Sequence, residues 1–379
     1  MKSVFEDSPV TKDLFRFATE KFGQVVSPIF LAKCCATVSC KLGRPTFSVT
    51  NVGQTRSMKT YTSEEVMDTF DSSFYIDIRS DFTMHALLRY KSLLPKGRCI
   101  FINDANTQFE SKSNRAKDRL VSGLSELLGD GIYSYEDFGR RFSLQGKVTL
   151  IMNMVPEVYL NYKDRLFGLT FSERFLTLHH YLTEQEKKDW VRKEERVKKM
   201  HYKHLITEDD IETDVRIPSK YMEVISLLAQ RFSYKTLRTF VGCQDIIKAG
   251  LRAHASLNKR TDACRDDFDL IRMLEDYLVN PHSPYEGRIV ELRSRGYSIR
   301  DICKILNKPN YVRQVQTVIK KAELRGILPL EDNSINRGSI RKNSLPLRKS
   351  SIRLSDSHAE ESIVDSRNGR LLMNNARRG

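Results

Sequence analysis

Between residues 46 and 155, short apolar runs alternate with helical stretches. The runs are "FSVTNV" (47–52), "FYIDI" (74–78), "CIFIN" (99–103) and "KVTLIMN" (147–153), with helical segments at 83–94 and 113–128. Strands alternating with helices predict a parallel sheet covered by helices, an α/β domain. Ahead of it, residues 10–42 read as two helices. One carries Leu14, Phe15, Phe17 and Ala18, the other Ile29, Leu31, Ala32 and Ala36. The first domain is therefore expected over 1–182.

After Arg174 the strand signals stop. Residues 184–204 form a charge-dense helical run with i, i+4 pairs such as Glu184–Lys188, expected as a solvated face. Periodic helices follow at 219–231, 235–257 and 265–279, which predicts a second, all-helical domain over 183–281. A third unit over 282–330 carries Ile289, Leu292, Ile302, Ile305, Leu306, Val312, Val315, Val318, Ile319 and Leu324 at helical spacing. Gly296 supplies a turn there, and Ser298 is placed to cap the next helix. From about 331 the chain turns to Ser, Asn, Arg and Lys, which predicts a disordered basic tail.

Charge sharpens the picture. The 379 residues include 63 Lys and Arg against 48 Asp and Glu, a formal net charge of +15. Such an excess draws a protein to a polyanion, most often nucleic acid and less often an anionic membrane. No run approaches the roughly 18 apolar residues of a membrane span. The opening "MKSVFEDSPVTKDLF" does not have the pattern of a signal peptide. The seven cysteines include no C-x-x-C pair, and several sit in apolar runs. They predict reduced, mostly buried thiols in a cytoplasmic protein.

One stretch carries candidate chemistry. In "TFSVTNVGQTRSMKT" (46–60) a strand runs into Gly53, and Lys59 and Thr60 follow at the spacing of a phosphate-binding loop. In such a loop, backbone N–H groups and a helix N-terminus surround a phosphate, the Lys reaches the β- and γ-phosphates, and the hydroxyl binds Mg²⁺. Alone, this spacing arises by chance in roughly one chain in five of this length. Context adds weight, because "RCIFINDAN" puts Asn103 and Asp104 at the end of an apolar strand, where a Mg²⁺-holding carboxylate belongs. A third strand ends in Asn153, and Arg174 follows in "FSERF".

This ordering resembles AAA+ ATPases over about residues 10–330, especially small ones of archaea, phages and mobile elements. The helical run at 235–274 is similar to the lids of MCM-type helicases and branch-migration motors. The resemblance implies that Gly53, Lys59 and Thr60 act as Walker A and Asn103 with Asp104 as Walker B, with ATP and Mg²⁺ as cofactors and Thr60 and Asp104 on the metal. It implies Asn153 as the sensor-1 residue, Arg174 as a finger acting on a neighbouring subunit's ATP, and Arg238 as sensor 2, with Lys235 close by. A homo-oligomeric ring is expected with it. Two positions depart from the pattern. Met58 stands for a glycine, and Asn103 for the usual acid, which should weaken metal positioning and slow hydrolysis. A hydrolysis-impaired scaffold or nucleotide-sensing DNA binder therefore stands as the alternative.

The 285–328 helices resemble a winged-helix module, with "LRGIL" as the turn into a wing. The later helix, about 310–324, would lie in the major groove and offer Arg313, Gln314, Gln316, Lys320 and Lys321, with Arg300 and Lys308 on phosphates. Basic pairs at Arg341–Lys342 and Arg348–Lys349 would add salt-sensitive affinity. Trp190 reads as a packing anchor and His254 as a packed helix residue. His201 and His204 have spacing open to a metal but no accompanying Cys or paired acids.

Overall fold

The computed structural model describes residues 5–55, 57–78, 83–106, 109, 113–137, 140–168, 171–180, 182, 186–190, 192, 200–236, 238–279, 284–306, 308–324 and 328. The 331–379 tail, and with it both basic pairs, lies outside the described residues, as do Glu184 and the expected turn into a wing at 325–327.

Two helices open the chain, α1 (Pro9–Phe22) and α2 (Ser27–Ser39). All 13 residues of α2 are buried, as an all-round apolar helix must be. Then come β1 (Val49–Val52), α3 (Lys59–Thr69), β2 (Tyr75–Ile78), β3 (Arg98–Ile102) and α4 (Asn114–Gly129). An antiparallel hairpin follows, β4 (Ile132–Asp137) with β5 (Arg140–Gln145). The core is completed by β6 (Val148–Met154), α5 (Pro156–Gly168) and β7 (Leu176–His179).

Five strands form one parallel sheet in the order β2-β3-β6-β1-β7. Every residue of β1, β3 and β6 is buried, the property of strands covered on both faces. Val49 lies opposite Ile151 on one side and Leu176 on the other, and Ile102 lies opposite Met152. The neighbours β1 and β6 send their connections in opposite directions, β1 towards β2 and β6 past β1 to β7. A crevice opens outside the carboxyl ends of strands at such a switch point.

Two expectations need correction. Strand signals do not stop at Arg174, because Leu176–His179 is the fifth strand; a buried edge of four residues is too short to show a period. Residues 83–94 are not an α-helix but turns of 3₁₀ helix at Ala86–Tyr90 and Leu94–Lys96. Pro95 and Gly97, the latter at φ 78°, break the run.

The helices α6 (Met222–Thr236), α7 (Phe240–Leu257) and α8 (Arg265–Glu275) match the expected all-helical segment. They do not have a core of their own. Phe47 and Val49, α2, and Leu228, Leu251, Ile271 and Leu274 belong to one continuous hydrophobic cluster. His254 is packed, as expected. Its Nδ1 meets Asp267 at 2.5 Å, Arg260 binds the same carboxylate at 2.6 Å, and the Cys264 backbone N–H donates to it at 2.6 Å.

The last three helices, α9 (Pro284–Ser294), α10 (Ile299–Ile305) and α11 (Val312–Leu324), close on Ile289, Leu292, Ile302, Val315 and Ile319. Gly296 turns at φ 85°, and the Ser298 hydroxyl accepts from the Asp301 N–H at 3.2 Å. All seven cysteines are free thiols, six of them buried. Among the described residues, no helix is long and apolar enough to cross a membrane.

Candidate functional site

The loop after β1 is held on both flanks. The Gly53 N–H donates to Met154 O at 3.1 Å, and the His180 N–H donates to Val52 O at 2.7 Å. The loop ends at Met58, which caps α3 with φ 67° and ψ 11°. That is the left-handed conformation a glycine adopts without cost and other residues rarely adopt. Met58 thus keeps the backbone shape of the expected glycine while its side chain is buried in the core.

Lys59 opens α3 and folds back into the loop. Its ammonium donates to Gly53 O, to Gln54 O at 2.7 Å and to Ser57 Oγ at 3.2 Å. Desolvation pushes its pKa down to about 8, against the opposing pull of Asp104 and Glu157. A second amine sits beneath it. Lys33 is fully buried on α2 and donates to Lys59 O at 2.7 Å, Thr62 Oγ1 at 2.6 Å and Ser63 Oγ at 2.9 Å. Burial, then the charge of Lys59, holds Lys33 well below the usual lysine value. His180, with neither ring nitrogen hydrogen-bonded, is kept neutral by burial and by Lys33 and Lys59.

Three more strand ends converge on this loop. Asn51 Nδ2 donates to Asn153 Oδ1 at 3.1 Å. Asn153 Nδ2 reaches Ser63 Oγ at 3.1 Å, Lys59 O at 3.3 Å and Asn103 Oδ1 at 3.4 Å. Asn103 Nδ2 in turn donates to Asp77 Oδ1 on β2 at 3.4 Å. The exposed Thr60 hydroxyl reaches Asn103 O at 3.5 Å, and Asp104 Oδ1 accepts from the Asn106 N–H at 3.0 Å.

A cavity of about 1020 Å³ lies over these groups. Lys59, Thr60, Asn103, Asp104 and Asn153 line it on the sheet side; Tyr61, Leu182, Lys187, Lys188, Trp190 and Arg192 also border it. Trp190, the only tryptophan in the sequence, meets Tyr61 edge-on at 5.9 Å. The oxygen donors on the sheet side are a hydroxyl, two amides and a carboxylate, the hard oxygens that suit Mg²⁺ together with phosphate oxygens. The cations Lys59, Lys187, Lys188 and Arg192 suit a polyanion.

The structure gathers Gly53, Lys59, Thr60, Asn103, Asp104 and Asn153 in one place. It does not bring Arg238 or Arg174 there. Arg238 is only 2% exposed, donates to Thr177 Oγ1 at 3.1 Å and lies over the Phe175 ring. Lys235 pairs with Glu275 at 2.9 Å. Arg174 is exposed beside Gly129, at the start of β7. Four residues of strand, about 13 Å, separate it from the end of the sheet that holds the cavity.

Lys33, Asp77, His180 and the 187–192 cations were not foreseen. Lys33 had a usable signal, a lone lysine inside the apolar "PIFLAKCCATV". Asp77 and His180 depend on which strands are neighbours, and the 187–192 cations on where their helical segment lies against the cavity. His201 comes within 4.8 Å of Glu65 and Asp68, and the Glu65 carboxylate is already held by Lys21.

On the last three helices, Arg300, Lys308, Arg313, Gln314, Gln316 and Lys320 are all exposed, the last four on α11. The side chain of Lys321 lies outside the described residues. Neither a scan of protein-family models nor a search of curated proteins finds a match to this chain.

Proposed function

We propose that the chain binds ATP with Mg²⁺ in the 1020 Å³ cavity and works on DNA as an oligomeric ATPase of the AAA+ type. The observation that carries this is the convergence of Lys59, Thr60, Asn103, Asp104 and Asn153 at the carboxyl ends of neighbouring parallel strands. These residues stand far apart in sequence, and a chance match to a loop pattern does not predict their meeting. The order β2-β3-β6-β1-β7 is also the winding of the AAA+ core that the sequence resembles.

In this reading the loop N–H groups and Lys59 hold the triphosphate, and Thr60, Asn103 and Asp104 hold the metal, which offsets phosphate charge when bound. Asp104 orients the attacking water and Asn153 fixes the loop against β6. Arg174, at the far end of β7, faces outward, so it would serve a neighbouring subunit's nucleotide and not its own. Arg238 braces β7 against α6 and α7. The exposed basic and amide side chains of α10 and α11 offer a DNA contact in the manner of a winged helix.

The uncharged Asn103 favours a second reading, a nucleotide-sensing DNA binder with little turnover. One measurement separates the two: ATP turnover of the purified chain with and without DNA, beside Lys59→Ala. DNA-stimulated turnover lost in that variant supports the motor. ATP and DNA binding without turnover supports the sensor. Absence of ATP binding removes both.

A further inference from the structure

We propose that Asp77 delivers, through the Asn103 amide, the negative charge that a carboxylate at position 103 would bring to bound Mg²⁺. The inference rests on the nucleotide reading above.

Asp77 lies on β2 opposite Phe101 of β3, close enough for Asn103 Nδ2 to donate to its Oδ1 at 3.4 Å. A carboxylate only accepts hydrogen bonds, so it holds the nitrogen end of the amide towards β2. The Oδ1 end is thereby turned towards β6, where Asn153 Nδ2 meets it at 3.4 Å, and both asparagines border the cavity. The choice matters because amide oxygens bind hard cations and amide nitrogens do not. With the amide reversed, Asn103 would present two N–H groups to a metal. Asp77 selects the usable orientation and polarises the amide, which draws negative charge onto Oδ1.

The same orientation propagates across the sheet. Asn51 donates to Asn153, Asn153 to Asn103, and Asn103 to Asp77, all in one sense across β1, β6, β3 and β2. The negative charge that position 103 lacks stands one strand over, on Asp77 of β2. Asp77 is not among the residues that border the cavity and would reach a metal through Asn103, so it is a positioning residue.

The test uses Trp190 emission to measure ATP affinity of the full chain in Mg²⁺ and in EDTA. In Asp77→Asn the amide loses its fixed orientation. The factor by which Mg²⁺ tightens ATP is expected to fall about tenfold, the equivalent of about 1.4 kcal/mol, with affinity in EDTA unchanged. Adding Asn103→Asp to that variant restores the factor. Equal loss of affinity in Mg²⁺ and in EDTA, or failure of the second change to restore the factor, overturns the proposal. Should Asp77→Asn not fold, Asn103→Leu removes the amide through which Asp77 acts and must lower the Mg²⁺ factor by a similar amount; an unchanged factor overturns the proposal equally. Absence of any ATP response in the wild-type chain instead strikes the nucleotide reading itself.

Discussion

Gly53 touches the backbone of His180: a Cβ built on the glycine would lie 2.2 Å from the His180 carbonyl oxygen. The loop after β1 and the end of β7 are therefore packed main chain to main chain, and no side-chain rotation relieves a larger residue there. Gly53→Ala is expected to force the loop off β7 and cost about 1–3 kcal/mol of stability. ATP binding should be lost more completely than that figure suggests, because the loop amides shift with it. Thermal melting and Trp190 titration check the two effects separately.

Lys59 gives the site a pH dependence. Desolvation pushes the pKa of its amine down to about 8, and a triphosphate would bind the protonated form. ATP affinity should therefore be level below pH 7.5, fall as pH rises through 8, and approach a tenfold loss per unit above that, with proton uptake on binding. In the free protein the sign is opposite. The lowered pKa means that the unfolded chain holds more protons between about 8 and 10.5, so this group's contribution to stability rises with pH across that window. Lys59→Arg, which stays charged, should bind ATP more weakly but with a flat profile. Calorimetry at pH 7 and pH 9 in two buffers of different ionisation heat reads both.

Arg174→Ala should leave ATP affinity unchanged, because the side chain lies a strand's length from its own chain's cavity. Turnover should fall by a factor on the order of 10³ if an inter-subunit finger operates. Mixing Arg174→Ala with Lys59→Ala should then restore part of the activity, since each variant supplies what the other lacks. Turnover unchanged in Arg174→Ala counts against the inter-subunit role.

Asp267 holds the helical segment together. Burial raises its pKa, yet hydrogen bonds from His254 and Arg260 outweigh this and keep it below the usual 3.8. The stability it contributes is complete above that value and is lost as pH falls through the lower folded pKa. Asp267→Asn leaves Arg260 without its counter-charge and should cost about 3–5 kcal/mol at pH 7. Urea unfolding at pH 7 and pH 3 should show that penalty shrinking in acid.

Much of the fold was legible from residue pattern alone. Four of the five parallel strands, both opening helices and the helices of 222–324 fall close to where apolar spacing put them. What escaped was short or set by context. The strand Leu176–His179 has four residues and no period of its own, and Pro95 with Gly97 replaced an apparent helix by 3₁₀ turns. The site divides in the same way. Gly53, Lys59, Thr60, Asn103, Asp104 and Asn153 announce themselves through strand ends and spacing. Asp77 and His180 acquire meaning only once β2 stands beside β3 and β7 beside β1. The resemblance to AAA+ lids implies Arg238 as sensor 2, and residue pattern alone could not show that its side chain lies on Thr177.

The helix α2 has no outer face. It is wedged between the sheet and the helices α7 and α8, and its residues belong to the same cluster as both. Swinging those helices away from the sheet would expose a close-packed interior, a far larger penalty than one nucleotide's binding energy repays. Turning helices α6 to α8 against the sheet is therefore expected to be costly, because the two share one interior. If the chain works as the proposed oligomer, its stroke is expected at the joints between protomers and not within this shared core.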